Sequence, residues 1–416
     1  MSKQKKKRGS STANPDAVKQ ALMHQKRFVE RIETLCNALV GQGYFEKIPE
    51  RILAQMYTSR YPALKIKANP GSDISKSTVV KANKLLNAFL EDQYITITNG
   101  ERILLSLLLS EGLVLINFLH VVPANYFPNA ALLKEEFKDY LPDSEGYLSL
   151  QEMLGIMVQD VNVFLSDLNK SVLTADISET ACFNISSKHN DIYLDEFKTD
   201  KTSIVINDNS RSMFRLGWLV PDWEYPKVKP SALGFDVAGL DVPLDIYIQK
   251  HALDRMQERL DMVPGLMHYK TFLIFTEPEI KHYKDKNRSL VEFCLPDKKL
   301  GYLQVELHGN RLIIHTFLFL TNNGTPEGMK LEKLAGLQKA DKMYLEIDKL
   351  STFNSYHVDK NEQLKDLFIK AGCGSLLDLA HLQEFSVNEV KDKDPESILK
   401  YLADSKYFRS KETLEV

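Results

Sequence analysis

The run from Leu300 to Thr321, LGYLQVELHGNRLIIHTFLFLT, constrains the fold more than any other stretch of the chain. Two alternating runs flank Gly309-Asn310, and a two-residue Gly-containing link between such runs signals a tight hairpin. With that turn, His308 pairs with Arg311, Leu307 with Leu312, Glu306 with Ile313, Val305 with Ile314, Gln304 with His315 and Leu303 with Thr316. Opposed residues share a face. Leu303, Val305, Leu307, Leu312 and Ile314 then form a core face, with Thr316 at its far end. The other face carries Tyr302, Gln304, Glu306, His308, Arg311, Ile313, His315 and Phe317. A slip of one residue would exchange the two faces, so this reading depends on the turn.

Upstream, Leu244 to Ile248 alternates as a strand, and a helix is expected from Lys250 to Asp261. A helix advances by roughly 100° per residue. His251, Arg255 and Arg259 therefore share one stripe, while Leu253, Met256 and Leu260 form another that can pack on a sheet. The polar stripe has two readings. It is a cationic site, or it is a solvated face on which Arg255 pairs with Glu258 one turn later.

A second helix around Gly265 to Phe275 follows, and three strands near Leu290–Leu295, Leu300–His308 and Arg311–Thr321 come after it. The strand, the helix opening His251-Ala-Leu-Asp-Arg255-Met-Gln-Glu-Arg259, the second helix and the meander resemble the barnase–EndoU–colicin–RelE superfamily of ribonuclease toxins. The motif is most similar to its uncharacterised bacterial "HALERMxER" domains. The resemblance covers about residues 244–323. It implies a bacterial protein with metal-independent RNA cleavage, and the four scattered cysteines separately fit a reducing, cytoplasmic compartment. His251 would be the base or acid, Arg255 and Arg259 the phosphate holders, and Glu306, His308 or His315 the complementary group. Arg311 would add a nucleic-acid contact. A histidine suits either proton-transfer role near neutrality, and arginine stays charged beside a phosphorane. No metal and no cofactor are expected.

The chain has 416 residues, and 53 basic against 56 acidic side chains give a net charge of −3. That excludes a uniformly basic nucleic-acid coat but allows a local basic face. Cys36, Cys182, Cys294 and Cys373 lack metal-site spacing. No phosphate-binding glycine loop, zinc-protease helix or nucleophile elbow occurs. The basic start, residues 1–13, reads as a disordered tail without a signal peptide. Ile103 to Val122 is about as long as a membrane span, but Ser106, Ser110, Glu111, Gly112, Asn117 and His120 interrupt it. A buried helix pair broken near Glu111-Gly112 fits better, so no membrane is expected.

Residues 14–169 read as mainly helical, and residues 44–104 within them read as winged-helix-like. Pro49–Ser59 and Ser75–Glu91 are helices, Lys65–Asp73 is a loop, and Asn99-Gly100 turns a hairpin. Lys76, Lys81 and Lys84, on the would-be recognition helix, could meet phosphates, together with Arg60, Lys65 and Lys67. Leu141–Glu152 imitates a calcium loop but lacks an oxygen ligand at its first position and reads as a capped helix start. Residues 170–232 hold short strands and a linker with Pro221, Pro226 and Pro230, where a domain boundary is expected. Residues 233–329 form the small α+β domain and 330–416 a helical accessory region.

The expected architecture is a multi-domain α+β protein. RNA cleavage or RNA binding by the small domain is the favoured function. The alternative is a non-catalytic protein that binds DNA or a protein partner through its N-terminal region. A third reading keeps the ribonuclease-like fold only as a scaffold.

Overall fold

The computed structural model describes residues 15–60, 64–97, 99–141, 145–177, 191–206, 208–220, 222–236, 241–295, 297–379, 382, 391–403 and 405. The basic tail, Cys182, Pro221 and part of the calcium-loop imitation (142–144) lie outside these residues. Helices and strands are both abundant, and the fold is mixed α+β. The chain separates into two compact units, residues 1–161 with 175–195, and residues 162–174 with 196–416.

The first unit contains α1 (Pro15–Val40), α2 (Glu50–Thr58), β1 (Lys65–Ala68), α3 (Lys76–Asp92), β2 (Tyr94–Thr96) and β3 (Arg102–Leu104). After these come α4 (Leu105–Leu107), α5 (Leu113–Val121), α6 (Ala130–Glu136) and most of α7 (Glu145–Leu165). β2 and β3 form the expected hairpin, with Gly100 at φ 86° in its turn. Part of the expected 65–73 loop is instead β1, paired in parallel with β5 (Asp191–Lys198) in a sheet of order β1-β5-β4, where β4 is Ser171–Ile177.

The apolar run does not break at Glu111. It stays helical through a wide π turn, Leu108–Gly112. This turn keeps Leu108 and Leu109 buried and lets Glu111 accept a 2.8 Å bond from the guanidinium of Arg31. The carboxylate in the apolar run is thus partnered from α1. No helix among the described residues is long and apolar enough to cross a membrane.

The second unit is built on a sheet of order β12-β13-β14-β15-β11-β7-β6. Its strands are β6 (Lys201–Ile206), β7 (Asn209–Arg215), β11 (Leu244–Gln249), β12 (His282–Asp285), β13 (Arg288–Cys294), β14 (Lys299–His308) and β15 (Arg311–Phe319). β8 (Trp218–Val220) and β9 (Asp222–Glu224) pair with each other, and β10 (Lys227–Val228) pairs with β11. The prolines therefore mark no boundary. The strands before them, β6 and β7, extend the same sheet as β11 because Phe214 and Met213 pair directly with Ile248 and Gln249.

Helices α8 (Lys250–Leu260) and α9 (Pro264–Thr276) follow β11. After β15 come α10 (Pro326–Ala335), α11 (Lys339–Tyr344), α12 (Leu350–Ser355), α13 (Glu362–Ala371) and α14 (Glu396–Leu402). The C-terminal helices are no appendage. Leu331, Phe353, Phe368 and Leu402 join Leu303, Val305, Leu312 and Met256 in one core.

The hairpin has the expected turn, with Gly309 at φ 59°, and the expected pairs from His308–Arg311 to Val305–Ile314. Beyond Val305 the register shifts. Gln304 pairs with Thr316 and Leu303 with Phe317, so His315 is the extra residue of a bulge. The two outermost expected pairs are thereby replaced. The gain is hydrophobic. Phe317, rather than Thr316, enters the core and packs edge-on against Phe293 with ring centroids 5.6 Å apart.

Candidate functional site

β11 and β15 run parallel, Ile248 beside Ile314, and β11 ends at Gln249. The chain turns there into α8, which buries Ala252, Leu253, Met256 and Leu260 against the sheet. Its polar stripe lines a cavity of about 320 Å³. His251, Arg255 and Arg259 contribute from α8, Thr316 from β15, and Asn323 and Lys339 from beyond the sheet. No carboxylate is among the lining residues.

The stripe is not uniform. Arg255 bonds Glu258, as the salt-bridged-face reading expected, and this pair is substantially exposed. Such a pair is worth only about 0.2–1 kcal/mol and can open. Arg259 differs. It is buried and pairs with Asp348. Its charge is already matched, so its expected role as a phosphate holder is replaced by a structural one. Burial raises the Asp348 pKa more than the guanidinium lowers it. Lys339 forms no ion pair among the described residues. His251 is exposed along one side, yet partial desolvation, and after it the charge of Arg255, lower its pKa below the usual histidine value.

Glu306, His308 and His315 line none of this cavity. The hairpin does gather them on one face, as expected, but it turns them toward each other. The Nε2 atoms of His308 and His315 are 3.0 Å apart, and Glu306 Oε2 stands 3.4 Å from the first and 3.5 Å from the second. Their contacts are with one another rather than with His251. All three are half-buried. Desolvation is the main influence lowering the pKa of His315, against the opposing effect of Glu306. Arg311 leaves both groups and stacks over Tyr247, 5.0 Å from the ring centroid.

Three participants escaped sequence reading. Gln249 ends β11 and holds His315 Nδ1 at 3.0 Å. Arg211, on β7, bears electrostatically on both His251 and His315. Lys339 reaches the cavity from a helix that no local pattern links to α8. Only Gln249 had a signal, since it sits between the strand and the His251 motif.

In the first unit, Lys76, Lys81 and Lys84 are all exposed on α3, opposite buried Ala82 and Leu86. None of the three forms an ion pair among the described residues. Lys67 does not share this freedom, because it bonds Asp191 at 2.6 Å.

No protein family, curated protein or solved structure compared with the chain matches it.

Proposed function

We propose that the α+β unit is an RNA-binding module and that the cavity beside α8 receives an RNA phosphate. One observation carries this reading. Three cationic side chains and no carboxylate line a cavity of about 320 Å³. Lys339 is a cation with no ion pair among the described residues, Arg255 can exchange its exposed Glu258 partner for an anion, and Arg259 shapes the wall. α8 also begins without a side-chain cap, because the Gln249 amide is directed to His315. Its first-turn N–H groups are then available to an anion near His251. The resemblance of residues 251–259 to the ribonuclease-toxin domains supports the same polymer. A cytoplasmic RNA is the corresponding target.

Binding is favoured over cleavage on chemical grounds. Cleavage by the 2′-hydroxyl needs a base and an acid. His251 is the one histidine lining the cavity, and the other two are directed at each other.

The test is fluorescence anisotropy of a labelled single-stranded RNA titrated with the full chain at several salt concentrations. Arg255→Ala and Lys339→Ala should each weaken binding and reduce the salt slope by roughly 0.7. Unchanged affinity in the double variant would sink the reading. Incubation with RNA in excess chelator checks the chemistry, and intact RNA is expected.

A second reading concerns the first unit. The exposed Lys76, Lys81 and Lys84 side chains, followed by the β2–β3 hairpin, suit duplex DNA as a partner.

A further inference from the structure

We propose that Glu306, His308 and His315 bind a divalent transition-metal ion of the zinc class, leaving a fourth position for water or a ligand atom. The three donor atoms are separated by 3.0, 3.4 and 3.5 Å. Atoms so spaced lie about 1.9 Å from their common centre. An ion slightly out of their plane would meet the roughly 2.0–2.2 Å distances that zinc keeps to imidazole nitrogen and carboxylate oxygen. All three ligand atoms fall within 4.8 Å of one another.

A hydrogen bond alone explains less. It accounts for the His308–His315 contact but not for Glu306. Its Oε2 is nearly equidistant from both nitrogens, beyond the 2.7–3.2 Å of a good hydrogen bond. Three donor atoms that converge at 3.0 to 3.5 Å, with the carboxylate oxygen outside hydrogen-bond distance of both nitrogens, suit ligands around one ion. Two imidazoles and one carboxylate are also a donor set suited to a zinc-class ion.

Two of the three ligands also have outer partners in place. Metal ligands are held by hydrogen bonds through their non-ligating atoms. Glu306 Oε1 accepts from Gln304 Nε2 at 2.9 Å, and Gln304 Oε1 accepts from Arg288 at 2.8 Å. The free nitrogen of His315, Nδ1, lies 3.0 Å from the Gln249 amide. Metal on Nε2 places the proton on Nδ1, and turning the Gln249 amide over offers its oxygen to that proton. Oxygen and nitrogen of such an amide are nearly isosteric.

The bulge produces this site. In a regular hairpin His315 would pair with Gln304, one step from the Glu306 pair. The extra residue brings it instead against His308. Bulges commonly re-aim a side chain in this way. No ligand lines the α8 cavity, so the proposal is independent of RNA binding.

The full chain, stripped with chelator and dialysed, would be titrated with Zn²⁺ by calorimetry and with Co²⁺ by visible absorption. One ion per chain and a low-symmetry Co²⁺ spectrum are expected. Glu306→Gln, His308→Ala and His315→Ala should each lose the site, and Gln249→Leu should weaken it by about 10–100-fold. Arg255→Ala should lose RNA affinity yet take up Zn²⁺ as the parent does, which separates the two sites. Absence of saturable binding, or binding that survives loss of both histidines, would overturn the proposal. The unaltered chain gives a check free of folding effects. Zn²⁺ should shift the Nε2 resonances of His308 and His315 in ¹⁵N NMR, and shifts confined to other histidines would equally overturn it.

Discussion

Arg259 of α8 bonds Asp348, 89 residues further along the chain, and both side chains are buried. The pair ties the helix that carries the cavity to the segment between α11 and α12. The bond is made to Oδ2, and the buried Oδ1 has no hydrogen-bond partner, so the guanidinium is the main group that offsets the burial of this carboxylate. Arg259→Leu should cost about 3–5 kcal/mol, because it leaves a buried charge unmatched. Arg259→Leu with Asp348→Leu should recover much of that loss. Urea unfolding of the single and double variants reads the difference, and equal destabilisation in both would refute the pairing.

His268 sets a pH dependence. It is buried on α9, and its Nδ1 accepts the Leu168 N–H at 2.7 Å. Burial lowers its pKa from 6.5 to about 4. The unfolded chain therefore takes up the proton first as pH falls. The contribution to stability is complete above pH 6.5 and is lost progressively toward pH 4. A shift of this size corresponds to on the order of 3 kcal/mol. His268→Asn keeps an acceptor without the titration. It should flatten the fall of the urea midpoint between pH 7 and pH 5, and an undiminished slope would assign that fall to other groups.

Gly265 permits a close approach. A Cβ there would lie 1.7 Å from the Val163 carbonyl oxygen and 2.7 Å from that of Ser166. Backbone atoms cannot yield as a side chain does, so Gly265→Ala should cost about 1–3 kcal/mol or more. Gly155→Ala is the counter-case, since a Cβ on that helical residue meets nothing within 4 Å. It should stabilise by about 0.4–1 kcal/mol. Thermal melts of the two variants should move in opposite directions.

The α3 lysines give a test of the DNA reading. Replacing Lys76, Lys81 and Lys84 with Glu should abolish non-specific duplex binding, because phosphate neutralisation supplies most of that affinity. Circular dichroism should be unchanged, given that all three are exposed. Retained binding in gel shifts would exclude α3 as the contact.

Local patterns were legible in the sequence where one period or one turn decides the outcome. The hairpin turn, its inner pairs, the α8 stripes and the α3 helix all follow from such rules. The bulge at His315 did not, because it is settled by competition between Phe317 and Thr316 for the core. Neither did the Arg259–Asp348 pair, whose partners are unrelated in sequence. The candidate site was half readable for the same reason. Its histidines and arginines were named, but their division into a cavity and a separate cluster depends on the bulge and on distant Lys339. The proline-rich segment misled because prolines at sheet edges and short turns resemble prolines in a linker.

The parallel contact between β11 and β15 has a consequence for how the protein is made. β11 ends at Gln249, yet the strand it lies beside begins only at Arg311. A chain leaving the ribosome presents Ile246 and Ile248 a full 66 residues before their neighbours Leu312 and Ile314 exist, at roughly 5–20 residues per second. For several seconds the apolar strand depends on β7, already synthesised, to cover one edge. During that interval β7 is the sheet neighbour already available to the strand that later positions Gln249 beside His315.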